Sequence, residues 1–165
     1  MCGIVAYHGP SPALPSLLSG LSRLEYRGYD SVGLALSTAG GEQLTIHRAA
    51  GRLAALLEVL PDDGTDCSIG IGHTRWATHG APTESNAHPH LDCAGAVAVV
   101  HNGTIDNAVT LRAQLAATGH TVMTDVDTEI VAHLLLGHPW LQRGDSHGQG
   151  GAGRRNRHPR PGSGS

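Results

Sequence analysis

The chain has 165 residues, 39 % of them apolar, which suits one domain with its own core and excludes wholesale disorder. Gly is frequent at 23, the aromatics are only Trp76, Trp140, Tyr7, Tyr26 and Tyr29, and the formal net charge is -3. No apolar run approaches the roughly 18 residues that cross a bilayer, and no basic-then-apolar leader opens the chain. The three cysteines, Cys2, Cys67 and Cys93, have no framework spacing, which excludes a disulfide scaffold and favours a reducing cytoplasm.

In chain order, Gly3-Ile4-Val5-Ala6-Tyr7 reads as a buried strand. Leu17, Leu18, Leu21 and Leu24 follow at helical spacing, with Ser11, Pro12 and Pro15 at the entry. Strands are predicted over 32–36 and 43–47, flanking a Gly40-Gly41 turn. Leu53, Leu56, Leu57 and Leu60 predict an amphipathic helix stopped by Pro61. Further strands are expected over 68–76 and 94–101, on either side of a polar loop. Ala108, Leu111 and Leu115 lie on one face of a helix that Gly119 ends. Ile130, Val131, Leu134 and Leu135 form a last helical stripe before Gly137 and Pro139. The pattern is mixed α and β in one layered domain, with no internal repeat.

Composition changes near position 138. Residues 1–143 hold seven Arg against thirteen acids, net -6, whereas residues 144–165 hold four Arg against Asp145, net +3. The last 22 residues include one Ala and nothing larger that is apolar, so 138–165 reads as a disordered tail. An RNA-binding arm is the competing reading, and the lack of aromatics for base stacking speaks against it.

Cys2 follows Met1, and a small second residue permits removal of the initiator. The mature chain would then carry a thiol and an α-amine on one residue. An α-amine titrates near ~7.7–8.0 and can accept the thiol proton, as N-terminal amines do for threonine nucleophiles. The alternative is a buried structural cysteine. A metal site is the rival chemistry: His73, His79, His88, His90 and His101 with Cys93 include an H-x-H pair, but no C-x-x-C or H-E-x-x-H spacing occurs, so no metal is expected. Gly70-Ile71-Gly72 lacks the third glycine of a dinucleotide fingerprint, and no P-loop is present.

Six blocks occur in order: Cys2-Gly3-Ile4-Val5; residues 24–31, Leu-Glu-Tyr-Arg-Gly-Tyr-Asp-Ser; residues 72–80, Gly-His-Thr-Arg-Trp-Ala-Thr-His-Gly; Asn86-Ala87-His88-Pro89-His90; His101-Asn102-Gly103; and Asp127-Thr128-Glu129. Together they resemble the glutaminase domain of the glutamine–fructose-6-phosphate aminotransferase (glucosamine-6-phosphate synthase) family, which is a class II glutamine amidotransferase of the N-terminal nucleophile hydrolase type. The resemblance covers about residues 2–137. It implies a four-layer α/β/β/α sandwich, incomplete at its C-terminal side, and a cytoplasmic enzyme of amino sugar biosynthesis.

The resemblance also implies roles. Cys2 would attack the side-chain amide of L-glutamine and form a γ-glutamyl thioester. Asn102 and Gly103 would donate to the oxyanion, although Asn-Gly is equally a tight hairpin turn. Arg75, whose planar fork suits a carboxylate, would hold the substrate α-carboxylate, where the plain reading of a lone Arg is a surface ion pair. Asp127 would receive the α-ammonium or simply cap the following helix. Thr78, His79, the Trp76 backbone and His88 would line or support the pocket. No cofactor, nucleic acid or membrane is implied, and a homo-oligomer is compatible with the sequence.

Ala6, Thr104 and Val126 depart mildly from the family pattern. The larger departure is length, because the family continues past the Asp127 helix and adds sugar-phosphate isomerase domains that receive the ammonia. A fragment, or a reading frame that slipped near His138, is therefore expected. The competing functions are an inactive fragment, a module that pairs with a full-length synthase, and the glutaminase half of another class II amidotransferase.

Overall fold

The computed structural model describes residues 1–38, 44–61, 66–77 and 80–137. The expected Gly40-Gly41 turn, Thr78, His79 and the tail over 138–165 lie outside these residues. The elements are β1 (Gly3–His8), α1 (Ala13–Leu24), a 3-10 turn (Glu25–Arg27), β2 (Ser31–Ser37), β3 (Leu44–Ala50), α2 (Leu53–Val59), β4 (Ile69–Arg75), β5 (His90–Leu91), β6 (Ala98–Val99), α3 (Ala108–Ala117) and α4 (Thr128–Leu136).

Four strands form an antiparallel sheet in the order β1-β4-β2-β3, and β5 pairs with β6 in a second, two-stranded sheet. Side chains alternate across the larger sheet. Val32, Leu34 and Leu36 of β2 point to one face, where they meet Leu17 and Leu21 of α1, Leu56 of α2 and Cys67. Leu17, Leu21, Leu34 and Leu56 are wholly buried, each stabilising the fold by roughly 1.5–3 kcal/mol. Glycine at 70 and 72 lets α1 approach β4 closely, since a Cβ at Gly70 would lie 2.6 Å from Leu17 Cδ1.

The opposite face carries Arg75, His73 and Gly33. The register sets Gly33 beside His73 and Ser31 beside Arg75. A Cβ at Gly33 would lie 2.4 Å from the His88 carbonyl oxygen, so the chain before β5 rests directly on the sheet there. Arg48 Nη1 ties the same stretch down through the carbonyls of Ser85 and Ala87. Beyond it, α4 packs on β5 and β6, and α3 packs on α4. The layers thus run from α1 and α2, through the large sheet and the small sheet, to α3 and α4. This is the α/β sandwich that the sequence led us to expect.

Several local expectations are corrected. Residues 94–101 form no continuous strand: Asp92 to Gly95 make a tight turn, and only Ala98–Val99 pair, with the unpredicted His90–Leu91. Asp92 causes this, because its carboxylate accepts the N–H groups of Ala94, Ala96 and Val97 and draws the chain away from strand geometry. In α2, Leu57 is 51 % exposed, while Leu56 is the buried residue. The face of α4 is also rotated from the expected stripe. Ile130, Ala132, Glu129 and His133 are buried, whereas Leu134 and Leu135 are exposed. Glu129 is turned inward because it accepts the N–H groups of Met123 and Thr124.

Candidate active site

The N-terminus of β1 and the C-terminus of β4 lie side by side, with Gly3 opposite Thr74. That pairing sets Cys2 against Trp76. The Trp76 N–H donates to Cys2 Sγ at 3.2 Å, and the thiol reaches the Trp76 carbonyl at 3.6 Å. These two contacts hold the sulfur against the end of β4. The Trp76 backbone is itself fixed: Asp30 Oδ2 accepts the Ala77 N–H at 2.8 Å, and the Asp30 N–H donates to the Arg75 carbonyl. Gly28 permits this approach, because a Cβ there would lie 2.6 Å from the Arg75 carbonyl carbon and 2.8 Å from Trp76 N.

On the far side of Cys2, Asn102 Nδ2 donates to the Cys2 carbonyl at 3.3 Å, and Asn102 Oδ1 accepts from His73 Nε2 at 2.8 Å. The two bonds settle each other. The Cys2 carbonyl only accepts, so the Asn102 NH₂ group faces it, and the Oδ1 left toward His73 takes the proton of the Nε2–H tautomer. Burial lowers the His73 pKa to about 4 against the raising effect of Asn102, so the ring is neutral at pH 7. His73 stacks on His88 with centroids 4.2 Å apart, and His88 meets His90 edge-on at 4.6 Å. Burial lowers the pKa of His90 to about 4, and that of His88 well below the histidine range. No base near physiological pH is found in this stack.

A cleft of about 400 Å³ opens in front of Cys2, bordered by His73, Arg75, Trp76, His88, Asn102 and Asp127 among others. Met1 and Gly103 also border it. Arg75 is 4 % exposed, and its guanidinium donates to the carbonyls of Ala81 and Gly80. The expectation of a plain surface ion pair does not describe it. Burial pushes its pKa down while Cys2 and Asp30 oppose the shift. Asp127 precedes α4 but makes no side-chain cap; Oδ2 instead accepts the Ile105 N–H at 2.6 Å, holding the 101–107 loop against the helix. Asn102-Gly103 accordingly lies in that loop and not in a two-residue hairpin.

The structure thus gathers Cys2, Asn102, Gly103, Arg75, Trp76, His88 and Asp127 around one cleft. Two contributors had been quoted within motifs without a role, His73 as the group that orients Asn102, and Asp30 as the clamp on Trp76 and Ala77. Gly28 signals a close backbone approach, but nothing in the sequence marks Asp30 as the clamp. For His73 the sequence carries no signal, because its partner is 29 residues away.

Fold comparison places the architecture among known amidotransferases. Glutamine phosphoribosylpyrophosphate amidotransferase from B. subtilis, solved with ADP and GMP, aligns with a TM-score of 0.68 and 29 % identity over 84 % of this chain and 30 % of its own. A structure described as the allosteric regulatory enzyme of purine biosynthesis aligns with a TM-score of 0.70 and 30 % identity, again over 84 % and 30 %. The fold is therefore that of the N-terminal nucleophile amidotransferases.

Residues 73–149 match the glutamine amidotransferase domain family. Among curated relatives, glutamine–fructose-6-phosphate aminotransferase (isomerizing) from Streptomyces coelicolor is 57 % identical over 136 residues. The proteins of the same name from Mycolicibacterium smegmatis and Symbiobacterium thermophilum are each 53 % identical. Each alignment covers 82 % of this chain and 22 % of the relative, so the chain spans about a fifth of their length. Among the described residues, no helix is long and apolar enough to cross a membrane.

Proposed function

We propose that the cleft hydrolyses L-glutamine to glutamate and ammonia through a thioester on Cys2, as the nitrogen-donating part of a cytoplasmic glutamine–fructose-6-phosphate aminotransferase. The observation that carries the reading is the pair of contacts around Cys2. Sγ receives the Trp76 N–H, and His73 turns the Asn102 amide so that its donor side faces the nucleophile. Residues 2–137 form the working unit, with residues 138–165 outside it. An isomerase domain accepts the ammonia in the relatives' reaction, and the cleft needs no cofactor for its own step.

Removal of Met1 frees the Cys2 α-amine and clears a side chain that now borders the cleft. The amine takes the thiol proton, and Sγ attacks the side-chain carbonyl carbon of glutamine. As the carbonyl oxygen gains charge, the Asn102 NH₂ group and the Gly103 N–H donate to it, each such donor being worth roughly 10²–10³ in turnover. The C–N bond then breaks, the amine returns its proton to the leaving nitrogen, and ammonia departs. Water attacks the thioester, with the amine again serving as base, and glutamate is released. Arg75 grips the α-carboxylate and Asp127 the α-ammonium, which fixes the amide over Sγ. The Trp76 backbone borders the carboxylate side, and His88 supports His73 from behind.

The reading is tested by intact mass of the purified chain before and after incubation with a glutamine analogue carrying a side-chain electrophile. Loss of the Met1 mass and one adduct mapped to Cys2 is expected. A chain that has lost Met1 yet takes no adduct, or takes it at Cys67 or Cys93, overturns it.

A further inference from the structure

Away from the cleft, three side chains from three separate elements converge. Cys93 sits in the Asp92–Gly95 turn between β5 and β6, and that turn is locked by the buried Asp92 carboxylate on three backbone N–H groups. His120 follows the end of α3. There Gly119, at φ +89°, lets its own N–H reach the Ala116 carbonyl and the His120 N–H reach that of Leu115, a closed Schellman terminus. His133 is buried on α4. None of the three positions depends on the other two.

Their ligand atoms lie within 4.8 Å of one another. Cys93 Sγ is 3.3 Å from His120 Nδ1, and His120 Nδ1 is 3.3 Å from His133 Nδ1. For a tetrahedral zinc ion with metal–nitrogen distances of about 2.0–2.1 Å and metal–sulfur of about 2.3 Å, two nitrogens stand about 3.3 Å apart and nitrogen and sulfur about 3.6 Å. The two spacings to His120 match that geometry to within a few tenths of an ångström, and Cys93 and His133 lie within 4.8 Å of each other.

The proton inventory points the same way. Glu129 Oε1 lies 3.5 Å from His133 Nε2. Its two oxygens also accept backbone N–H groups, Oε1 from Met123 and Oε2 from Thr124, the arrangement of a carboxylate. A carboxylate only accepts, so Nε2 carries the His133 proton and Nδ1 presents a lone pair to the cluster. His120 Nδ1 carries at most one proton, which cannot point squarely at both His133 Nδ1 and Cys93 Sγ. A cation at the centre satisfies all three atoms together, with Glu129 as the carboxylate that orients a metal-bound histidine.

We propose that Cys93, His120 and His133 form a zinc site that clamps the β5–β6 turn to α3 and α4, with water as the fourth ligand. The thiolate and two imidazoles select zinc over magnesium or calcium, which take oxygen ligands. A cavity of about 410 Å³ bordered by Cys93, Thr121 and Glu129 admits the water. The site departs from the expectation of no metal. That expectation paired Cys93 with histidines at 73, 79, 88, 90 and 101, whereas the fold brings it to His120 and His133.

The test is metal titration of the full chain, free of any purification tag and stripped with chelator. One Zn²⁺ per chain is expected, and Co²⁺ in its place should give tetrahedral absorption with a thiolate charge-transfer band. Cys93→Ser should abolish the band and weaken zinc binding at least 100-fold, while Cys2→Ser leaves both unchanged. Cys93 is exposed, so the serine variant keeps the fold. Glu129→Gln should weaken binding about 10- to 100-fold. Because His138, His147 and His158 also occur in the sequence, the cysteine variant decides the matter and metal content alone does not. Substoichiometric zinc, a cobalt spectrum without the charge-transfer band, or a band that survives Cys93→Ser overturns the proposal.

Discussion

The two faces of the four-stranded sheet are made by the same strands and obey different rules. Toward α1 and α2 the residues are Val32, Leu34, Leu36 and glycines that admit Leu17 and Leu21, a dry aliphatic contact. Toward the small sheet, β4 presents His73 and Arg75, both almost fully buried, and His73 leans on a stack of two further histidines. One face accounts for much of the stability. The other holds polar groups away from water at a cost that only specific hydrogen bonds reduce. His73 Nδ1, His88 Nδ1 and both nitrogens of His90 have no hydrogen-bond partner among the described residues. Strand alternation therefore lets one element serve both the core and the site without sharing a side chain between them.

Three perturbations sharpen that contrast. Asn102→Ala should lower glutamine turnover roughly 100- to 1,000-fold by removing an oxyanion donor, and should cost about 1–3 kcal/mol of stability by stranding the buried His73 Nε2–H. Steady-state kinetics beside a urea melt would separate the two effects; unchanged turnover per folded molecule would contradict the division of labour. Leu21→Ala should act on the core instead. It costs about 3 kcal/mol of stability and leaves turnover per folded molecule within a few-fold of the parent, which urea unfolding and active-site titration would read together.

The third perturbation is pH. His73 and His90 titrate near 4 in the folded chain and His88 lower still, against about 6.5 when unfolded. Below 6.5 the unfolded state therefore binds more protons than the folded state. Stability is full above pH 6.5 and falls as pH drops toward 4, by up to about 1.4 kcal/mol per pH unit for each histidine. Urea midpoints at pH 7, 6 and 5 should fall in that order. A flat series would mean that these rings are solvated.

Much of this was legible in the sequence, for identifiable reasons. Leucines at helical spacing gave α1, and the apolar run over 32–36 gave β2 as a strand, because local periodicity records local geometry. The cleft was legible only through the ordered motif blocks, since Cys2 and Asn102 are brought together across 100 residues. What failed was facing and pairing. Leu134 and Leu135 looked like the buried stripe of α4, but Glu129 and His133 take that side because Glu129 has backbone N–H groups to satisfy. Asp127 looked like a cap and holds a loop instead, as Ile105 offers it an N–H that no spacing reveals. The grouping of Cys93, His120 and His133 was hidden for the same reason: the three belong to a turn, a helix end and a helix face far apart in the chain.

The most direct test of the account compares glutamate release from glutamine by the full chain with that by Cys2→Ala, with thermal unfolding measured on both. The account predicts measurable release by the parent chain lacking Met1, a loss on the order of 10³-fold or more in the variant, and matching unfolding midpoints. Release that persists in Cys2→Ala, or a parent chain that is folded and lacks Met1 but releases no glutamate, would contradict it.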